Sequence, residues 1–339
     1  MVQLSQGLLD IIKVLIIKNY YQREKELNAV KLYKKKIFFI LGIVSVYLII
    51  IIYGDIKEVS QTFQNLRFDF IPIILSTIFC SLFIKSIRQK IFLNKIGLNL
   101  SLKKNLQLYM FGLSLIATPG GIGNLIKSQF LKERYGLSRS RTVPIVLFER
   151  YHDLLAIIVI LSTLISFIFL LSISIILFIS SIIFVFFTLL IYKIELFKKI
   201  QKKLAKIKII NRITPTDEFN ESVRILSKPI IFTQGLLISI LAWIIDALGV
   251  YLIFLAFSQD FGFIITTEYY FGATLFGSIS MVPAGLGVTD GSLLGLIKSN
   301  DIDNSVASSI VLLVRLCTIW FAMGLGFIFT KFLLAKSPS

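Results

Sequence analysis

Histidine, cysteine and proline are scarce in this chain of 339 residues, which contains one histidine, two cysteines and seven prolines. A single histidine excludes most histidine-built metal sites and phosphohistidine chemistry. Cys80 and Cys317 both lie in apolar runs, where an inert buried thiol is more common than a disulfide or a redox pair. The sequence therefore indicates no metal site and no cofactor.

Charged residues are also scarce, at 16% of the chain, whereas 56% of the residues are hydrophobic and the mean hydropathy is +0.84. Soluble domains carry about 25% charged residues, so a water-soluble fold would expose too much apolar surface. The sequence predicts an all-α integral membrane protein. In a membrane protein, the formal net charge of +17 indicates which side of the membrane the basic loops occupy. No nucleic acid partner is predicted.

Six apolar runs approach or exceed the roughly 20 residues that a helix needs to cross a bilayer. These runs are 37–53, 70–87, 145–168, 171–192, 229–257 and 304–330. Two further runs, 105–118 and 264–282, each end in a glycine-rich break. Each of the two is either a full crossing or a re-entrant hairpin, which turns inside the membrane and returns to the side it entered from.

The distribution of Lys and Arg decides between these interpretations. If both runs are hairpins, all strongly basic stretches fall on one side and hold 31 of the 36 Lys and Arg residues. These stretches are 1–36, 85–104, 118–141, 193–228 and 331–339. Two full crossings would place 118–141 and 193–228 outside, against the positive-inside tendency. We therefore predict six spanning helices and two re-entrant hairpins in the cell membrane, with both termini cytosolic.

The predicted organisation has three parts. Residues 1–36 form a cytosolic or interfacial segment, 37–333 the membrane domain and 334–339 a tail. In the basic loop 193–228, residues 193–208 have a basic amphipathic pattern. This pattern predicts either a helix attracted to anionic lipids of the inner leaflet or a solvated linker face.

The two glycine-rich breaks match each other with a constant offset of 164 residues. The matched positions are Pro119/Pro283, Gly121/Gly285 and Gly123/Gly287. In each copy an arginine follows in the next apolar run, Arg150 at 31 residues and Arg315 at 32 residues from the proline. Three predicted spans separate the hairpins, so the copies, about 70–168 and 229–330, form an inverted repeat. Many secondary transporters with this architecture bind substrate where the two halves meet.

Arg150 and Arg315 are predicted near the middle of the membrane, about 12 Å and 16 Å along their helices, against a half-thickness of about 15 Å. A cation there costs at least about 2.5 to 3.5 kcal/mol and must face protein or water. One hypothesis is that both arginines and Lys127 bind a phosphate beside backbone N–H groups freed at the glycine breaks. The alternative is structural, with the arginines neutralised by nearby acids. The candidate acids are Glu149, Asp153, Asp246 and Asp290.

These residues resemble the lysylphosphatidylglycerol synthase transmembrane, or flippase-like, family over about 37–333. The motifs that carry the resemblance are Arg88, the break 118–123 with Lys127, Glu149-Arg150 with Asp153, the break 283–287 with Asp290, and Arg315. The chain departs from the family pattern at two positions. Asn124 stands where the family commonly has an acid, and Asp290 stands where it usually has Glu.

The resemblance implies translocation of an anionic phospholipid or a polyprenyl-phosphate-linked lipid between leaflets, without synthase activity. It implies substrate-binding roles for Arg88, Lys127, Arg150, Arg315, Glu149, Asp153, Asp290, Gly121, Gly123, Gly285 and Gly287. Two other functions stay open: an intramembrane transferase acting on a lipid phosphate, and a non-catalytic membrane subunit. We expect a transporter rather than an enzyme, and a homo-oligomer is compatible with the sequence.

Overall fold

A computed structural model describes residues 42, 44–116, 123–168, 217–280 and 282–334. In these residues the regular elements are helices and there is no strand, which confirms the all-α prediction. The chain divides into two compact units, 1–52 and 53–339. The described residues of the first unit, 42 and 44–52, are helical, and residues 44–52 lie in α1, Val44–Tyr53.

The second unit contains the other helices that the structure describes. In chain order they are α2 (Ile56–Gln64), α3 (Phe70–Lys95), α4 (Leu102–Leu113), α5 (Ile126–Tyr135), α6 (Arg139–Ile168), α7 (Asp217–Leu226), α8 (Pro229–Ala256), α9 (Gly262–Ile279), α10 (Val288–Lys298), α11 (Asn304–Arg315) and α12 (Phe321–Leu334). A 3₁₀ turn, Pro283–Gly285, lies between α9 and α10, and a π-helical turn, Leu316–Trp320, joins α11 to α12.

Three of the described helices are long and apolar enough to cross a membrane: α3, α8 and the continuous helix Asn304–Leu333. Two serine hydroxyl groups of α3 are satisfied inside the helix, since Ser76 donates to the carbonyl of Pro72 and Ser86 to that of Phe83, both at 2.7 Å. The full count of six spans and the inverted repeat stay predictions. The run 171–192 and the segment 193–208 lie outside the described residues.

Helices α3 and α8 pack against each other in antiparallel directions and form the centre of the second unit. Gly249 of α8 lies against Ile78, Ser239 against Arg88, and Gly235 against Phe92. At both glycines a Cβ atom would come within 2.8 Å of the side chain on α3. The absence of a side chain therefore allows the close approach of the two helices, which brings the polar residues of α3 to those of α8.

Each glycine-rich break lies between two short helices that contact each other. The first break separates α4 (12 residues) from α5 (10 residues), and the second separates α9 (18 residues) from α10 (11 residues). At 1.5 Å per residue, α4, α5 and α10 reach only about 15 to 18 Å, half the thickness of the hydrocarbon core. Helix α9 is longer and reaches about 27 Å, so the helix lengths agree with a hairpin at the first break, while the hairpin at the second break stays a prediction.

Two boundaries correct the sequence predictions. Helix α6 begins at Arg139, before the start of the predicted run 145–168, and includes Pro144. The basic stretches 85–104 and 118–141, predicted as loops, contain Lys85, Arg88 and Lys127. These three residues are instead buried in α3 and α5. Without these three, 28 of the 36 Lys and Arg residues remain in the basic stretches, so the charge asymmetry survives.

The contact between α4 and α12 depends on Gly326. A Cβ atom there would lie 2.4 Å from the backbone nitrogen of Ser114 and 2.8 Å from the carbonyl oxygen of Met110. Gly326→Ala is expected to force the helices apart and to lower the midpoint of thermal unfolding in detergent by several degrees, since overpacking costs about 1 to 3 kcal/mol. The matched control is Gly324→Ala, because nothing lies within 4 Å of that position. Equal midpoints for the two variants would contradict this packing.

Candidate functional site

The candidate site is built from nine charged side chains of α3, α5, α6, α8, α10 and α11, of which seven are buried and two, Arg150 and Asp153, are half-buried. The cations are Lys85, Arg88, Lys127, Arg150 and Arg315, and the acids are Glu149, Asp153, Asp246 and Asp290. Three ion pairs form among them: Arg88 with Asp153, Lys127 with Glu149, and Arg315 with Asp290. Two cations, Lys85 and Arg150, have no carboxylate within 4 Å in the described part of the chain.

At the second break, Arg315 donates hydrogen bonds to Asp290 from two nitrogens. Its Nε donates to Oδ1, and its Nη2 donates to Oδ2 at 3.2 Å. The same Nη2 also donates to the carbonyl oxygen of Gly285 at 3.1 Å. Asp290 in turn accepts the backbone N–H of Gly287 at 2.7 Å. The protein's own side chains therefore satisfy the backbone groups at this break, and Arg315 is already neutralised.

The backbone of the second break needs glycine. Gly285 has a φ of +64° and Gly287 a φ of +78°, in the left-handed region that L side chains rarely adopt. Gly277 of α9 also lies 3.2 Å from the position that a Cβ atom of Gly285 would occupy. These glycines fix the turn and the contact between α9 and α10, which aims the start of α10 at Arg315.

Lys127 of α5 extends past the first hairpin into a buried polar network. Its Nζ donates to Glu149 Oε2 at 2.6 Å and to Gln89 Oε1 at 2.7 Å. The stem of Lys127 passes over Gly112, where a Cβ atom would lie 2.6 Å from its Cδ. Gln89 continues the network to Asn105 of α4 at 3.1 Å. Lys127 and Glu149 thus connect α5, α6, α3 and α4.

Arg88 is fully buried and connects α3 to α6 and α8. Its Nη1 donates to Asp153 Oδ1 at 2.7 Å and also to the hydroxyl of Ser239. Asp153 accepts a second hydrogen bond from Trp243 Nε1 at 3.2 Å. Asp153 is therefore paired with Arg88, and it does not neutralise Arg150 as the structural alternative allowed.

Arg150 of α6 contacts Asn124, which follows the first break. The orientation of the Asn124 amide that satisfies its neighbours directs its nitrogen to the carbonyl of Gly112 and its oxygen to Arg150 Nη2. Arg150 is half-buried and Asn124 is buried. Arg150 therefore faces the described end of the break, Gly123–Asn124, with an amide rather than a carboxylate as its partner. Pro119 and Gly121 lie outside the described residues.

Sequence analysis missed several participants. Lys85 lies over the ring of Trp243, with Nζ 3.8 Å from the ring centroid, and Gln89 and Asn105 complete the Lys127 network. Lys85 could have been found as a lone cation inside the apolar run 70–87. The partner of Asp246 could not have been found in the sequence. The hydroxyl of Tyr270 donates to Asp246 at 2.8 Å, and the two residues lie in different helices.

Three apolar helices long enough to cross a membrane and a cluster of charged side chains buried among the described helices define a helical multi-pass membrane protein with a polar interior. The chain belongs to the lysylphosphatidylglycerol synthase TM region family, whose model matches residues 37–326. This assignment confirms the resemblance predicted from the breaks and arginines.

Curated relatives share the membrane character. A UPF0104 membrane protein of Pyrococcus horikoshii is 25% identical over 323 residues, covering 86% of this chain and 95% of the relative. A UPF0104 membrane protein of Methanocaldococcus jannaschii is 27% identical over 215 residues, covering 61% and 87%. Another, of Methanothermobacter thermautotrophicus, is 33% identical over 110 residues, and the match spans 32% of each chain.

Proposed function

We propose that the protein moves an anionic phospholipid or a polyprenyl-phosphate-linked lipid between the two leaflets of the cell membrane, without chemical change to the lipid. The observation that carries this proposal is Arg150. Its guanidinium faces the described end of the first break and has no carboxylate within 4 Å in the described chain. A cation in the membrane needs a counter-charge, and a lipid phosphate supplies one.

The two breaks differ in a way that supports one substrate-facing arginine. At the second break, Asp290 occupies the position that an anion would take, between Arg315 and the N–H of Gly287. At the first break, Asn124 contributes a neutral amide to Arg150. A phosphate at the first break would meet an arginine fork, which binds phosphate oxygens through two parallel N–H groups. We therefore place the lipid phosphate at Arg150.

A transferase acting on a lipid phosphate is the weaker alternative. Such an enzyme would need acids arranged around a metal ion or a nucleophile at a membrane face. The chain has an Asp-x-Asp sequence at Asp301 and Asp303, but both residues are exposed in the turn before α11. No group of three or more His, Cys, Asp or Glu side chains in the described residues is placed to hold a metal ion.

The test is reconstitution of the purified protein into phosphatidylcholine vesicles with a trace of headgroup-intact, chain-labelled phosphatidylglycerol. We expect the protein to increase the rate at which inner-leaflet label becomes accessible to an external quencher. Labelled phosphatidylcholine serves as the comparison lipid, and protein-free vesicles give the background. Equal rates with and without protein would contradict translocation. A partner requirement, as for a non-catalytic subunit, would appear as activity only in the native membrane extract.

The proposed topology makes a separate prediction. With both termini cytosolic and both hairpins re-entrant, Lys132→Cys in the last turn of α5 should react with an impermeant thiol reagent only from the cytosolic side. Ser299→Cys after α10 should react only from outside. Both side chains are exposed. A Cys80→Ser background removes the exposed native thiol, and Cys317 is buried. Labelling of both positions from one face would contradict the inverted arrangement.

A further inference from the structure

Like Arg150, Lys85 has no carboxylate within 4 Å in the described residues. It is 6% exposed and lies ten residues before the end of α3, or about 15 Å along the helix. Its ammonium stacks on the indole ring of Trp243, with 3.8 Å between Nζ and the ring centroid. A cation–π contact holds the ammonium in place but adds no negative charge, so its field stays available to a ligand.

Asp153 connects Lys85 to the proposed phosphate site. The Trp243 ring that carries Lys85 donates its Nε1–H to Asp153, and Asp153 lies one helical turn after Arg150 on α6. The Asp153 carboxylate interacts electrostatically with both Lys85 and Arg150. Because Arg88 is the ion-pair partner of Asp153, Lys85 and Arg150 both lie near this carboxylate without an acid of their own within 4 Å in the described residues.

The remaining buried acid of the cluster, Asp246, forms no ion pair with Lys85 or Arg150. Asp246 follows Trp243 by three residues on α8, but it accepts its hydrogen bond from the Tyr270 hydroxyl and lies beyond 4 Å of Lys85. Arg315 is paired with Asp290 and Lys127 with Glu149. Lys85 and Arg150 are therefore the two cations left for a substrate.

We infer that Lys85 is a second phosphate-binding residue and that the site prefers a lipid phosphate with two negative charges, a phosphomonoester or a diphosphate, over a phosphodiester with one. This inference rests on the proposed function. Arg150 supplies a planar fork for two phosphate oxygens, and Lys85 supplies a point charge for the second negative charge. A phosphodiester would neutralise only one of the two cations and leave the other buried without a counter-ion.

The experiment compares two lipids with identical dioleoyl chains, phosphatidic acid and phosphatidylglycerol, binding to the detergent-purified protein at pH 8. At this pH a phosphomonoester carries close to two charges. We expect the wild-type protein to bind phosphatidic acid at least about tenfold more tightly. Lys85→Gln should reduce that ratio towards one, mainly by weakening phosphatidic acid. Lys95→Gln, an exposed lysine on the same helix, should keep the wild-type ratio.

The outcomes separate this inference from the proposed function. Binding of neither lipid by the wild-type protein would contradict the proposed function itself. Equal affinity for both lipids, or an unchanged ratio in folded Lys85→Gln, would overturn only the two-charge preference. Lys85→Arg keeps the charge and is expected to keep the preference, so it serves if the glutamine variant does not fold. Competition by sn-glycerol 3-phosphate at the affinity of the lipid would show a site for soluble phosphate and overturn the lipid assignment.

Discussion

Arg150→Gln is expected to slow the movement of phosphatidylglycerol at least about tenfold while leaving the membrane domain folded. Arg150 has no carboxylate within 4 Å among the described residues, so its removal leaves no buried acid without a partner there. The charge-assisted contacts to a phosphate would be lost, and such hydrogen bonds contribute about 1.5 to 3 kcal/mol each. Translocation rates in vesicles check the loss of transport, and thermal unfolding in detergent checks that the variant is folded.

The matched control is Arg139→Gln. Arg139 begins the same helix and is exposed, so this variant removes the same charge from α6 away from the cluster. It is expected to transport at the wild-type rate. Arg150→Lys should be intermediate, because an ammonium keeps the charge but loses the fork geometry. Wild-type transport by folded Arg150→Gln would remove Arg150 from the proposed site.

Asn124→Asp tests the same site by adding an acid beside Arg150 instead of removing the arginine. The change preserves the shape of the side chain and places a carboxylate where the amide oxygen now faces Arg150. Arg150 would then be neutralised inside the protein, in the way that Asp290 neutralises Arg315. A phosphate would have to displace that carboxylate. Weaker binding of phosphatidylglycerol by Asn124→Asp is therefore the consequence of placing the phosphate at Arg150.

The sequence predicts which residues belong to this site better than it predicts which cation pairs with which acid. Glycine breaks and lone arginines in apolar runs are local signals, so the breaks and the placement of Arg150 and Arg315 beside them follow from spacing and depth. The i, i+3 rule pairs Arg150 with Asp153, but such a local contact contributes only a few tenths of a kcal/mol. Arg88, 65 positions earlier in the chain, takes Asp153 instead.

Pairing across helices depends on packing that a single sequence does not encode locally. Gly235 and Gly249 allow α8 to approach α3, and that contact brings Arg88 to Ser239 and Lys85 to Trp243. The π-helical turn directly after Arg315 is equally invisible in the hydrophobic pattern, because it adds one residue to a turn without changing composition. Such turns recur at functional sites, and this one sets the direction of α12 beyond the arginine.

Arg315→Leu is expected to destabilise the protein by about 3 to 5 kcal/mol, because it leaves Asp290 buried without its cation. Asp290 is 1% exposed, and the same change removes the donor to the Gly285 carbonyl. Replacing both partners, Arg315→Leu with Asp290→Leu, should recover part of this loss, since an apolar pair leaves no uncompensated charge. The N–H of Gly287 still loses its acceptor, so recovery is incomplete. Urea or thermal unfolding of Arg315→Leu, Asp290→Leu and the double variant, beside the wild-type protein, gives the coupling energy between the two residues.

The exposed pair Arg67–Asp69 is the control, at 3.4 Å and with side chains 55% and 68% exposed. Arg67→Leu is expected to cost less than about 1 kcal/mol, because water screens an exposed pair. A similar cost at Arg315 would contradict a buried pair there. Transport by the folded Arg315/Asp290 double variant then assigns the role of Arg315. Retained transport makes it a residue that holds α10 and α11 in register, whereas lost transport with retained stability makes it a second contact of the lipid phosphate.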